Sequence, residues 1–124
     1  METQDILNLE TGEKEAQALK PKSVKIVNVR IEPVESLKRD KAVFEVKHPD
    51  REETIDISSA KYERNKKLQI TGLWVSLDED GKLQKGSALA HLKDFLEAKT
   101  LKDTIGKEIM TAEDDKGYLC FRAY

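Results

Sequence analysis

Cysteine occurs once in this chain, at Cys120, so no intrachain disulfide can form and nothing marks an oxidising compartment. Histidine occurs only at His48 and His91, and with one cysteine these fall short of the four nitrogen and sulfur ligands of a structural zinc site. Aromatic residues make up 6% of the chain and Trp74 is the single tryptophan, which implies a thin core. No apolar run reaches the roughly 18 residues that cross a bilayer. The opening METQDILNLE has neither the basic start nor the apolar stretch of a signal peptide. A small soluble, cytoplasmic protein with no membrane partner is expected. No glycine-rich phosphate loop is found, and no serine, cysteine or carboxylate is paired by spacing with either histidine. The expectation is therefore a protein that is not an enzyme and uses no cofactor or metal.

Charge, by contrast, is abundant, at 37% of the 124 residues. The net charge is -2, and its distribution matters more than its sum. Residues 1–22 carry five acids and three lysines, whereas residues 23–124 carry nineteen residues of each sign. A globally basic nucleic-acid-binding domain is excluded, and only local basic patches remain open.

The length fits one domain. Residues 1–22 have few large apolar side chains, and Pro21 ends any helix through EKEAQALK, so this stretch reads as a flexible or loosely docked acidic tail. From Ser23 the apolar period becomes two. Val24 and Ile26, then Val27, Val29 and Ile31, predict a strand with a bulge where the phase slips. Ala42 to Lys47 and Thr54 to Ser58 predict two more strands, with HPDREE as the turn between them.

AKYERNKK reads as a charged connection. Beyond it, Leu68 and Ile70 are followed by Gly72 and then by Leu73, Val75 and Leu77 in the other phase. A glycine at a phase change signals a bulge or a barrel corner, and it turns Trp74 away from the face of Leu73 and Val75. DEDGK is a turn. Ser87 is placed to cap a helix from Ala88 to Ala98, with Leu89, Leu92 and Leu96 on one stripe and Phe95 beside it. Thr100 and Asp103 form a capping-box-like pair. Two strands, Lys107 to Glu113 and Tyr118 to Tyr124, complete the chain around the turn DDKG.

The acidic turns invite a calcium reading, which fails on spacing. With Gly81 as the sixth position of a calcium loop, Ser76 and Ser87 occupy the first and twelfth, where an aspartate and a bidentate glutamate are needed. Basic residues mixed with aromatics survive this test. Lys38, Arg39 and Lys41 lie in one connection, and Lys61, Arg64, Lys66 and Lys67 lie in another with Tyr62. Tyr62 and Trp74 offer flat faces for base stacking, and Arg122 and Tyr124 of the last strand add a weaker pair. The plainer reading is that solvated connections are often lysine-rich, which also guards sheet edges.

The order strand, strand, strand, bent strand, helix, strand, strand, carried by VKIVNVRI, AVFEVKHP, ETIDIS, ITGLWV, SALAHLKDFL, GKEIMT and GYLCFRAY, resembles the small single-domain OB-fold proteins of phages and archaea. Many of these bind single-stranded nucleic acid. The resemblance spans residues 23–124 and implies a mainly β, α+β fold: a five- to six-stranded antiparallel barrel with its helix between the fourth and fifth strand runs. The acidic EDDKG departs from the basic loop such a protein often carries there. The expected function is a non-catalytic module for single-stranded DNA or RNA. The rival is a protein-interaction or assembly module, a homodimer through the Tyr118 to Tyr124 strand or a subunit of a larger complex.

Overall fold

A computed structural model of the chain describes residues 19–124, so the expected tail lies outside the described residues up to residue 18. Its last residues are held. The fully buried His48 donates from Nε2 to the Lys20 carbonyl at 2.8 Å and accepts the Asp50 N–H on Nδ1 at 3.0 Å, an arrangement that requires the neutral ring. The buried Thr111 hydroxyl accepts from the Lys22 N–H at 2.9 Å and donates to the Lys22 carbonyl at 2.7 Å. Lys20 and Lys22 are thus tied by their backbone to the chain that follows.

The protein is mainly β with one α-helix among the described residues. The strands are β1 (Ser23–Val34), β2 (Arg39–Lys47), β3 (Ile55–Ile57), β4 (Ser59–Arg64), β5 (Lys67–Gly72), β6 (Glu108–Glu113) and β7 (Leu119–Ala123). The helix α1 (Ala88–Phe95) lies between β5 and β6, and short 3-10 turns span Glu35–Leu37 and Lys102–Thr104. The strands form one sheet in the order β3-β2-β1-β6-β7-β4-β5. The ladder is not closed, and it has seven strands where five or six were expected. The additional strand is β4, built from residues that read as a connection. Its pairing with β7 is parallel, which corrects the expected wholly antiparallel arrangement. A parallel pair needs a long crossover, and the path from β4 to β7 supplies one by passing through β5, α1 and β6.

Only Ser58 separates β3, one edge of the ladder, from β4 near the other edge, so the sheet is strongly curled. The phase slip in β1 is a bulge: its register against β2 shifts between Ile26 and Asn28 and leaves Val27 exposed. Inside the curl lie Val24, Ile26, Phe44, Val46, Ala60, Tyr62, Phe121 and Ala123, with Leu89 and Leu92 of α1 and its C-cap Leu96 packed against them. Phe44 and Phe121 meet edge to face, with centroids 5.3 Å apart and planes at 88°.

Local chemistry explains the helix and turns. The Ser87 hydroxyl accepts the Ala90 N–H at 3.2 Å and starts α1. Thr100 and Asp103 cap each other reciprocally at 3.3 Å. Asp78 Oδ1 accepts from the Asp80 and Lys82 amides, and Asp114 Oδ1 accepts from those of Lys116 and Tyr118. Both acidic turns thus spend a carboxylate on their own backbone. Phe95, expected beside the apolar stripe, is exposed instead. Among the described residues no helix is long and apolar enough to cross a membrane.

Candidate nucleic-acid interface

The site is built at the corner that follows Gly72. β5 pairs with β4 as far as Gly72 opposite Ser59. The next residue changes partner: the Leu73 N–H donates to the Ser58 carbonyl at 2.9 Å, while the Leu73 carbonyl accepts from Ala42 of β2 at 2.8 Å. The Val75 N–H then donates to the Asp40 carbonyl at 2.8 Å, and Trp74 bridges to Lys41. Leu73 is fully buried and Val75 packs on the core, so Trp74 points the other way, half-buried, as the phase change required.

The corner seats the indole among cations. The Arg39 guanidinium carbon lies 4.7 Å from a Trp74 ring centroid and Lys41 Nζ lies 5.0 Å away, both in the range of cation–π attraction. Arg64, at the end of β4, reaches the same place. Arg39, Arg64, Gly72, Trp74 and Ser87 line one cavity of about 160 Å³. Arg64 also borders a neighbouring cavity of about 280 Å³ with Lys85 and Gly86, beside the start of α1. No ion pair among the described residues holds Arg39, Lys41, Arg64 or Lys85. Their charge is open to an anion. Arg30 shows the contrast: Asp56 at 2.6 Å and Glu32 at 2.8 Å enclose it and raise its pKa far above the ordinary guanidinium value, chiefly through these hydrogen bonds.

Gly72 is needed here for space. A Cβ at this position would lie 2.9 Å from Trp74 Nε1 and 3.3 Å from Lys41 Cε, so both side chains would have to move. Gly72→Ala is expected to cost about 1–3 kcal/mol by overpacking. The same change should shift the emission of Trp74, the single tryptophan, which fluorescence of the folded variant would register.

The two basic segments thus converge through Arg39, Lys41 and Arg64, with Trp74 between them. The remaining expected residues lie elsewhere. Lys38 is the exposed left-handed cap of the first 3-10 turn, and Lys66 sits in the two-residue hairpin loop before Lys67, which opens β5. Lys61 faces away from the core, between Arg122 on β7 and Ile70 on β5. Arg122 covers the Tyr124 ring at 4.7 Å on that outer face.

Tyr62, expected as a stacking face, is 4% exposed and belongs to the core, while it also lines the cavity beside Trp74. Its hydroxyl accepts from Gln69 Nε2 at 3.2 Å, and its ring lies 5.1 Å from that of His91, whose Nε2 donates to the Ala123 carbonyl at 3.0 Å. β7 is paired with β6 on one side and β4 on the other, so it is not a free edge through which two chains could join. Cys120 is fully buried, and burial pushes its thiol pKa up to about 11, which makes it a small apolar residue in practice. Lys85 is the contributor that sequence reasoning missed. The available signal was its place just before Gly86 and the Ser87 cap.

No group of three or more histidine, cysteine, aspartate or glutamate residues that could hold a metal occurs among the described residues. Comparison with protein-family models, with curated proteins and with solved structures gives no match to this chain.

Proposed function

We propose that this chain is a non-catalytic module that binds single-stranded DNA or RNA in the groove around Trp74, on a sheet curled into an OB-like barrel. The observation that carries the reading is the meeting of Arg39, Lys41 and Arg64 around one half-buried indole, with no carboxylate among the described residues paired to any of them. Arginine and lysine would take successive phosphates, with Lys85 continuing the track. A base would stack on the indole or on the outer plane of the Arg39 guanidinium, surfaces that tolerate any base because every base has a flat face. Such a site favours single strands, whose bases are free to splay out. The buried thiol suits a reducing, cytoplasmic setting.

The supporting features of the barrel reading are the curl, the parallel β4–β7 pair and the helix between β5 and β6. The test is fluorescence polarisation of a labelled oligonucleotide at two salt concentrations. With about four phosphate contacts at roughly 0.7 each, log affinity should fall with log salt at a slope of about -3. No binding at low salt, or binding indifferent to salt, would remove the proposal.

A further inference from the structure

The geometry points to β5 as the docking edge for a second copy of this chain. Among the described residues β5 ends the ladder, with β4 as its sole strand neighbour. The hairpin fixes which groups are unpaired. Asn65 and Lys66, with φ of 54° and 64°, form the two-residue loop, so Arg64 and Lys67 flank it as a hydrogen-bonded pair. Alternation then makes Tyr62 and Gln69 a bonded pair, whereas Leu68 and Ile70 turn their N–H and C=O groups away from β4. Outside the ladder, no backbone hydrogen bond among the described residues engages Leu68 or Ile70.

Natural sheet edges are blunted by proline, bulges or charged side chains, lysine above all, and here Lys66 and Lys67 guard only the hairpin end of β5. Residues 68–71, Leu-Gln-Ile-Thr, have none of these, and Leu68 is 48% exposed. Leu68 and Ile70 lie on the outer face, where Tyr124, the residue after β7, is 40% exposed.

A second copy is the occupant this edge fits because the edge is self-complementary. Antiparallel pairing about a two-fold axis at Gln69 sets Leu68 opposite Ile70 of the other copy, and Ile70 opposite its Leu68. Both residues then exchange their free N–H and C=O groups with their opposite numbers, and no charge lies within residues 68–70. The register also sets Lys66 of each copy opposite Gly72 of the other. This last consequence rests on the proposed nucleic-acid reading: the hairpin lysines of one copy would border the Trp74 groove of its mate, lengthening the basic track. Like charges there oppose association at low salt, so physiological salt, which screens them, is the condition to use.

The experiment is light scattering of the full chain across micromolar concentrations at physiological salt, without nucleic acid. The expected mass rises to twice 14.1 kDa. Ile70→Pro removes one outward N–H without touching a bond to β4, so it should give a monomer with an unchanged circular dichroism spectrum. Should that variant unfold, Gln69→Cys decides, since residues directly opposite at the axis should oxidise to a covalent dimer while Cys120 stays buried. A wild type of 14.1 kDa at every concentration, or a dimer that Ile70→Pro leaves intact and Gln69→Cys does not cross-link, overturns the inference. A monomer that still binds an oligonucleotide with salt dependence overturns the dimer alone. A dimer that binds none overturns the groove alone.

Discussion

Phe121→Ala is expected to lower the stability of the fold by about 3–5 kcal/mol, the usual cost of emptying a buried phenylalanine site. The side chain is fully buried and meets Phe44 edge to face across the curled sheet. The chain has three phenylalanines, and Phe95 is exposed, so Phe44 and Phe121 are the bulkiest fully buried side chains among the described residues. Total stability for a domain of this kind is about 5–15 kcal/mol, so one truncation removes a large part of it. Urea denaturation followed by circular dichroism would measure the loss. Phe95→Ala serves as the comparison, with an expected change of less than about 1 kcal/mol, because the residue is already 44% exposed. Near-equal effects would mean that the core does not lie where the curl places it. A double-mutant cycle with Phe44→Ala should return a coupling of about 0.5–1.5 kcal/mol for the ring pair.

The second large effect is electrostatic. Replacing Arg39, Lys41 and Arg64 together by alanine is expected to flatten the salt dependence of oligonucleotide binding by about 2 in slope, at roughly 0.7 for each lost phosphate contact. The control removes the same charge elsewhere, through alanine at the exposed Lys99, Lys102 and Lys116. That variant should keep a slope near the wild-type value. If both triple variants behave alike, binding follows net charge and the groove has no special role. Affinities for several homopolymer sequences would fall together in the groove variant, because phosphate contacts carry no base preference.

Much of this architecture is legible in local chemistry. The bulge in β1, the corner at Gly72, the Ser87 cap and the two aspartate turns each follow from a residue whose conformational or hydrogen-bonding preference acts within a few positions. β4 is less legible because its outward side chains, Lys61 and Glu63, and its terminal Arg64 make the run look like a solvated loop. Its inward signal is only Ala60 and Tyr62, a small residue and an aromatic at period two. The parallel pairing with β7 leaves no mark in sequence, since it depends on a crossover that spans β5, α1 and β6. Tyr62 illustrates the consequence for the site. An aromatic among lysines reads as a stacking face, but the alternation of β4 buries it, and the aromatic that remains partly open is Trp74 beyond the glycine corner. Which cations surround that indole was likewise set by distant pairing, as β2 and the corner segment bring Arg39 and Lys41 to it while β4 brings Arg64.

The most direct measurement is the intrinsic fluorescence of Trp74 during titration with an unlabelled single-stranded oligonucleotide. Trp74 is the only tryptophan in the chain, so the signal has one source. A base stacking at the groove should quench the emission along a saturable curve that weakens as salt is raised, and the Arg39, Lys41 and Arg64 triple variant should lose that response. Binding seen by polarisation while Trp74 emission stays unchanged would place the nucleic acid elsewhere on the protein and contradict the groove.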